Sequence, residues 1–301
     1  MSERFVKAGE LELWTESFGD PDDPTALLIV GADAQGIGWP DSLCHGLADN
    51  GRHVIRYDHR NTGRSSLVDF DEHPYDFGDL ARDAVAVLDG YGVAAAHVVG
   101  ISMGGIVSQV LALDHADRVL SLTLMSTSSA LTGVLAAMAG QPSNFTPPPH
   151  HGYLENLARL SAEVEQHPPT TREEVIDVRL RAYVLAAGSS TTETEVADCR
   201  RTLAAEFDRA GDPLRPDISP RIFLNSASLG DLAPRLSTLD VPALVVHGVE
   251  DPLIPVEHGQ ALARAIPGAV FVGVQGAGHT CVPPSGIDQW TEAILDISSR
   301  V

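Results

Sequence analysis

The hydrophobic pattern of the first 125 residues predicts strands and helices in alternation. Strand-like segments, rich in apolar residues, occupy residues 10–18, 26–30, 53–57, 96–99 and 120–125. Segments with apolar residues at helical spacing occupy residues 40–50, 76–91 and 103–114. Such alternation is typical of the α/β class, and it predicts a mostly parallel sheet flanked by helices.

The pattern changes after residue 125. Residues 126–226 show no convincing buried strand, and their helical segments are residues 152–166, 172–187 and 193–210. Thr171 with Glu174, and Thr192 with Glu195, have the spacing of capping boxes at two of these helix starts. The strand pattern then resumes, and the last predicted elements are strands at 241–248 and 269–274 and helices at 256–266 and 285–298.

A helical stretch within a sheet protein predicts an inserted cap. We therefore assign residues 1–125 and 227–301 to an α/β core and residues 126–226 to a helical cap insertion. An independent helical domain is the alternative, and the return of the sheet pattern after residue 226 disfavours it.

Charge and composition narrow the possible partners and locations. The chain has 301 residues and a formal net charge of −21, which disfavours nucleic-acid binding because the protein surface repels phosphate backbones. No apolar stretch approaches the length of a membrane span, and the N-terminus lacks the apolar segment of a signal peptide. We therefore expect a cytoplasmic protein without a membrane partner. The cysteines, Cys44, Cys199 and Cys281, lie too far apart to predict a disulfide framework.

The strongest chemical signal is a G-x-S-x-G pattern with Ser102 at its centre. The strand-like residues 96–99 lead into it, and a predicted helix begins at Met103. In this context a sharp strand-to-helix turn projects the serine hydroxyl above the sheet as a nucleophile, and the flanking glycines relieve crowding. A plain glycine-rich turn with a capping serine is the less favoured alternative.

A serine nucleophile needs a histidine base and an acid that orients the histidine. Asp251 follows the strand at 241–248, at the sheet edge where open α/β sheets place their sites. His279 follows the strand at 269–274 in a run of small residues, and the order serine, acid, histidine is that of α/β hydrolases. Glu250 competes for the role of the acid. We favour Asp251 because Pro252 follows it in the turn and its shorter side chain suits a fixed partner.

Acyl transfer also requires hydrogen-bond donors for the oxyanion of the tetrahedral intermediate. The backbone N–H of Met103, directly after the nucleophile, is one candidate donor. The backbone N–H of Ala32, in the loop after residues 26–30, is the second. This loop lacks the usual His-Gly pair, since Val30 stands at the histidine position, but its backbone can still donate.

We expect neither a metal nor a cofactor. His150 and His151 are adjacent but have no carboxylate or cysteine at ligand spacing. No G-x-G-x-x-G motif follows the first strands. His247 ends a predicted strand and is interpreted as a satisfied or partly buried histidine.

Ser102, Asp251 and His279 in their motifs resemble the α/β-hydrolase superfamily over the whole chain outside residues 126–226. Residues 58–65, DHRNTGRS, also resemble the D-x-R-x-x-G-x-S turn of that superfamily. The closer similarity is to anthracycline (aclacinomycin-type) methylesterases of aromatic polyketide biosynthesis, and it is carried by residues 38–41, 54–60, 73–75 and 83–103. The resemblance implies that Ser102, Asp251 and His279 are the triad and that the N–H groups of Ala32 and Met103 form the oxyanion hole. Residues 126–226 do not visibly match those esterases. The resemblance therefore implies the catalytic residues and their reaction, and it implies less about the substrate.

These observations predict a cofactor-independent serine hydrolase that cleaves a small-molecule carboxylic ester through an acyl-enzyme. A methylesterase acting on a bulky, apolar, polyketide-like substrate is the favoured form. We expect some apolar side chains of the cap to face the sheet above Ser102, among them Val175, Val178, Ala182 and Leu185. Lactonase, thioesterase, C–C hydrolase and cofactor-free haloperoxidase or perhydrolase activities are alternatives with the same triad. A ligand sensor with slow turnover is the alternative from another class.

Overall fold

A computed structural model describes residues 2–130, 133, 136, 147–279 and 287–301. Its strands are β1 (Ser2–Ala8), β2 (Leu11–Phe18), β3 (Thr25–Ile29), β4 (His53–Tyr57), β5 (Ala96–Ile101), β6 (Val119–Met125), β7 (Ala243–Gly248) and β8 (Val270–Val274). They form one sheet in the order β1-β2-β4-β3-β5-β6-β7-β8. β2 pairs antiparallel with β1 and with β4, and all other neighbouring strands are parallel. The predicted mostly parallel sheet is therefore confirmed.

β1 is a strand that the hydrophobic pattern did not predict. It pairs along its whole length with β2 at the edge of the sheet. Val6 is its one buried residue, and Glu3, Arg4 and Lys7 carry charges. Charged side chains discourage an edge strand from pairing with other chains, and they also remove the apolar alternation by which a strand is recognised.

Helices cover both faces of the sheet. The described helices are α1 (Asp41–Asp49), α2 (Phe77–Gly90), α3 (Met103–Asp114), α4 (His151–Gln166), α5 (Arg172–Ala186), α6 (Glu193–Arg209), α7 (Ser219–Asn225), α8 (Ala233–Leu236), α9 (Val256–Ala265) and α10 (Ile287–Ser298). Helices α2, α3 and α9 pack on one face, and α1 and α10 pack on the other. Along β3, Leu27 and Ile29 enter the first core and Ala26 and Leu28 enter the second. Burial on both faces explains why this strand reads as a continuous apolar run.

The predicted element boundaries agree closely with the structure. The strand at 53–57 and the helix at 103–114 coincide with β4 and α3. The other predicted ends in the described ranges differ by at most two residues, as helix and strand ends generally do. Residues 285 and 286, the predicted start of the last helix, lie outside the described residues, as does Cys281.

From residue 147 to β7, the chain lies in helices α4 to α8, a short 3₁₀ helix (Ser226–Leu229) and loops. Both predicted capping boxes are present, at Thr171 with Glu174 and at Thr192 with Glu195. The division into core and cap agrees with this element order and stays our interpretation. In the part of the chain that the structure describes, no helix combines the length and apolarity of a membrane span.

The apolar residues singled out on α5 differ in burial. Val175 is buried, whereas Val178, Ala182 and Leu185 are only half-buried. Leu185 also lines a groove between α4 and α5. This set of residues is therefore not a fully buried packing face.

Candidate active site

Ser102 occupies the sharp turn between β5 and α3. Its backbone has φ 52° and ψ −119°, a conformation that a residue with a side chain rarely adopts. The turn is close because α3 begins against β3: a Cβ on Gly104 would clash with the carbonyl oxygens of Ile29 and Val30. The sequence prediction of a strand, a strained serine turn and a helix is therefore matched by the backbone.

His279 follows β8 and reaches the serine from a neighbouring loop. Its Nε2 lies 3.0 Å from Ser102 Oγ, and its Nδ1 lies 2.7 Å from Asp251 Oδ2. The histidine side chain is 13% exposed, and the aspartate side chain is fully buried. These distances join Ser102, His279 and Asp251 in one hydrogen-bonded chain.

Asp251 is held by several donors. Its Oδ1 accepts hydrogen bonds from the backbone N–H groups of Leu253, at 2.9 Å, and Ile254, at 2.8 Å. Burial alone would raise the pKa of Asp251, but the charge of His279 and the hydrogen bonds from His247 and His279 hold it well below its usual range. An ionised carboxylate only accepts hydrogen bonds, so Nδ1 of His279 carries the hydrogen and Nε2 is left to accept from Ser102 Oγ.

Glu250, the competing acid, points elsewhere. Its carboxylate accepts hydrogen bonds from Ser189, at 2.7 Å from the backbone N–H and 2.8 Å from Oγ. The residue is exposed, in contrast to the buried Asp251. The structure therefore brings Asp251, and not Glu250, to the histidine.

His247, interpreted from the sequence as a satisfied or partly buried histidine, also lies beside Asp251. It is fully buried, and its Nε2 lies 2.7 Å from the Ile254 carbonyl oxygen and 3.4 Å from Asp251 Oδ2. A carbonyl oxygen only accepts, so Nε2 carries a hydrogen that also faces the Asp251 carboxylate. The spacing of four residues between His247 and Asp251, across the turn that ends β7, was the available signal.

Both residues predicted to supply oxyanion donors belong to segments next to Ser102. Met103 follows Ser102 at the first position of α3. The loop that contains Ala32 passes beside the serine, since a Cβ on Gly31 would lie 4.0 Å from Ser102 Oγ. No described residue accepts a hydrogen bond from the N–H of Ala32 or of Met103.

A buried contact with α6 holds the loop after β3, which contains Ala32 and Gln35. The backbone N–H of Gln35 donates to Glu206 Oε1 at 3.0 Å, and Gln35 Nε2 donates to the Glu206 carbonyl oxygen at 2.8 Å. Burial raises the pKa of Glu206 to about 7, against the opposing effects of the Gln35 N–H and of Arg179. Because 171 residues separate the two partners, no local sequence pattern could have revealed this anchor.

A cavity adjoins the turn at Ser102. It encloses about 640 Å³, part of it open to solvent, between the loop after β3, the segment after β4 and helices α6 and α7. Met103 reaches its wall, together with the apolar side chains of Leu80, Phe207 and Ile222 and the polar side chains of Asp33 and Arg179. Apolar and polar side chains thus share the wall of this cavity.

Among the residues that the structure describes, no group of three or more histidine, cysteine or acidic side chains could hold a metal ion. His150 precedes α4. Exposed His151 lies 3.6 Å from Glu155, four residues later on α4, so the expectation that no carboxylate stands at ligand spacing is wrong. The adjacent histidines therefore do not extend into a larger cluster in the described ranges.

Comparisons with known proteins agree with this geometry. The family described as alpha/beta hydrolase fold matches residues 31–170, and the family described as TAP-like protein matches residues 230–293. Rhodomycin D methylesterase DnrP of Streptomyces peucetius is 39% identical over 289 residues, which cover 93% of this chain and 92% of that protein. Rhodomycin D methylesterase DauP of Streptomyces sp. (strain C5) shows the same identity and coverage.

Solved structures show the same fold. The esterase RhEst1 from Rhodococcus sp. ECU1013 is similar with a TM-score of 0.72 at 21% identity, covering 100% of this chain and 98% of that chain. A likeness at this identity supports the architecture alone. The similarity to the two methylesterases covers 93% of this chain and therefore includes most of residues 126–226, which corrects the expectation that this segment does not match them. This chain therefore belongs to the α/β-hydrolase family, and it is a carboxylic-ester hydrolase similar to the rhodomycin D methylesterases.

Proposed function

We propose that Ser102, His279 and Asp251 hydrolyse a carboxylic methyl ester through an acyl-enzyme. The observation that carries this proposal is the pair of short contacts, 3.0 Å from Ser102 Oγ to His279 Nε2 and 2.7 Å from His279 Nδ1 to Asp251 Oδ2. A serine hydroxyl is a weak nucleophile until a base removes its proton. The contacts supply that base and a buried carboxylate that orients it.

In the acylation step, Ser102 Oγ attacks the ester carbonyl carbon while His279 Nε2 takes the hydroxyl proton. Asp251 stabilises the imidazolium that forms and keeps the ring in its orientation. The tetrahedral intermediate collapses when the C–O bond to the alcohol breaks and His279 returns the proton to the leaving oxygen. Methanol then departs, and the acyl group remains on Ser102.

Deacylation repeats the sequence with water. His279 removes a proton from a water molecule, the resulting hydroxide attacks the acyl carbon, and the proton passes to Ser102 as the acid is released. In both halves the negative charge develops on the former carbonyl oxygen, where the N–H groups of Ala32 and Met103 are the proposed donors. Each step uses groups of this chain and water, so the proposed reaction needs no cofactor or metal.

The cavity beside Met103 is the proposed site for the acyl part of the substrate. Leu80, Phe207 and Ile222 offer apolar contacts to a ring system, and Asp33 and Arg179 offer polar contacts to its oxygen substituents. The similar proteins are named for rhodomycin D, which supports a polyketide-like methyl ester as the substrate. The proposed partner is thus a small molecule, and the proposed location is the cytoplasm.

A hydrolysis panel tests the substrate proposal. We expect kcat/KM for methyl esters of fused-ring aromatic acids to exceed that for methyl acetate, because apolar contacts contribute about 25 cal/mol per Å² when they persist in the transition state. Released methanol and the acid product would be quantified for methyl esters, and lactones and thioesters would be compared under the same conditions.

Three outcomes would contradict this account in different ways. If methyl acetate is hydrolysed as well as every bulky ester, the role assigned to the cavity is wrong. If a lactone or thioester is the best substrate, the ester class is wrong. If each enzyme molecule releases only about one product molecule, the ligand-sensor alternative replaces the hydrolase.

A further inference from the structure

We propose that residues 186–190, at the end of α5, position His279, and that Glu250 is a positioning residue that fixes them. We refer to residues 186–190 as the histidine brace. This inference rests on the proposed role of His279 as the catalytic base. It assigns a function to cap residues that do not line the proposed cavity.

The brace is hydrogen-bonded to the loop that carries the histidine. The backbone N–H of His279 donates to the Ala186 carbonyl oxygen at 2.8 Å. Three residues earlier in that loop, the Gly276 carbonyl oxygen accepts from the backbone N–H of Ser190 at 3.0 Å and from its Oγ at 2.9 Å. The brace therefore fixes the histidine loop at two points, one of which is His279 itself.

Glu250 connects the brace to the loop of the triad acid. Its carboxylate oxygens accept both hydrogen bonds that Ser189 donates, from the backbone N–H and from Oγ. Its own backbone N–H donates to the Ala277 carbonyl oxygen at 2.9 Å. Glu250 thus contacts the brace with its side chain and the histidine loop with its backbone, and Asp251 follows it directly.

The brace, the loop that carries His279 and the end of β7 approach one another through their backbones. A Cβ on Gly188 would clash with the Gly276 carbonyl oxygen, and a Cβ on Gly278 would clash with the Ala186 carbonyl oxygen. At the end of β7, a Cβ on Gly248 would clash with the carbonyl oxygens of Ala277 and Gly278. The backbone of the histidine loop therefore packs closely against both the end of β7 and the brace.

Such packing matters because catalysis depends on small distances. Proton transfer between Ser102 and His279 requires the contact of 3.0 Å, and a misplacement of about 1 Å can cost on the order of 100-fold in rate. Loss of the Ser189–Glu250 contact would free the brace on the side of the acid loop. Glu250 is exposed, so its replacement should disturb this contact with little effect on the core.

The test measures the reactivity of Ser102 directly. Purified Glu250→Ala, Glu250→Gln and Ser189→Ala would be compared with the wild type for the second-order rate constant of labelling by a fluorophosphonate, and for kcat and KM with a methyl ester. Glu165→Ala, at an exposed glutamate near the end of α4, is the matched control. We expect Glu250→Ala to lower the labelling rate and kcat by about tenfold with KM unchanged. In Glu250→Gln the labelling rate and kcat should fall by less, since the amide oxygen can still accept one hydrogen bond from Ser189.

Two results would overturn the inference. One is labelling of Glu250→Ala at the rate of Glu165→Ala. The other is a loss in Glu250→Ala that Glu250→Gln does not lessen and that follows a lowered melting temperature, because this would indicate a general structural role. Failure of the proposed function looks different, since the wild-type protein itself would then lack labelling at Ser102 or lack turnover of methyl esters.

Discussion

Replacement of Ser102 by alanine is expected to reduce kcat for ester hydrolysis by on the order of 10⁴- to 10⁶-fold. The substitution removes the one oxygen that His279 Nε2 contacts at 3.0 Å, so no acyl-enzyme can form. The residual rate would come from the oxyanion donors and substrate binding, which alone leave about 10³- to 10⁴-fold catalysis over water in serine hydrolases. Steady-state assays on the purified variant measure the loss.

The fold of this variant should be intact, because alanine removes only the Oγ atom from a half-buried position. Circular dichroism and the melting temperature would verify this. Ser299→Ala, at an exposed serine near the C-terminus, is a matched control that should keep full activity. Activity of Ser102→Ala within about tenfold of the wild type is incompatible with serine as the nucleophile.

Replacement of Asp251 by asparagine is expected to lower kcat by on the order of 10⁴-fold while substrate affinity changes little. Asparagine keeps the shape of the side chain but carries no charge, and it has one acceptor oxygen in place of two. Oδ1 of Asp251 accepts from Leu253 and Ile254, and Oδ2 faces Nδ1 of His279. If the asparagine oxygen stays with the backbone donors, its NH₂ group faces Nδ1 and favours the wrong tautomer of the histidine.

The neighbouring acid provides the comparison for this prediction. Glu250→Gln changes the same functional group one residue earlier, but that carboxylate contacts Ser189 and not His279. We therefore expect Asp251→Asn to be impaired far more than Glu250→Gln when kcat is measured side by side. The reverse ranking would assign the acid's role to Glu250.

The three residues that the sequence favours for a triad are brought into one hydrogen-bonded chain by the structure, and each follows a strand in a recognisable local context. Ser102 lies in a five-residue motif between a strand and a helix, and the structure brings it to His279 although 177 residues separate them. The preference for Asp251 over Glu250 relied on the turn at Pro252, and the structure agrees, since Asp251 is the buried acid. Residues of this kind can be recognised from short local sequence motifs.

The sequence could not predict features that depend on the backbone or on distant partners. The hydrogen bond from His279 N–H to the Ala186 carbonyl oxygen uses groups that every residue except proline possesses. The contact of Gln35 with Glu206 joins residues far apart in the chain. β1 was not predicted for another reason. Its charged residues interrupt the apolar alternation that identifies a strand, as is common at a sheet edge.

The most direct test of the central claim is covalent labelling with a fluorophosphonate followed by intact and peptide mass spectrometry. A serine hydroxyl reacts only when a base activates it, and Ser102 is the serine whose Oγ faces His279 Nε2 at 3.0 Å. The account predicts one label per wild-type molecule, located on Ser102, and none in His279→Ala. Labelling of Ser65 or Ser126 instead, or equal labelling of Ser102 in His279→Ala, would contradict it.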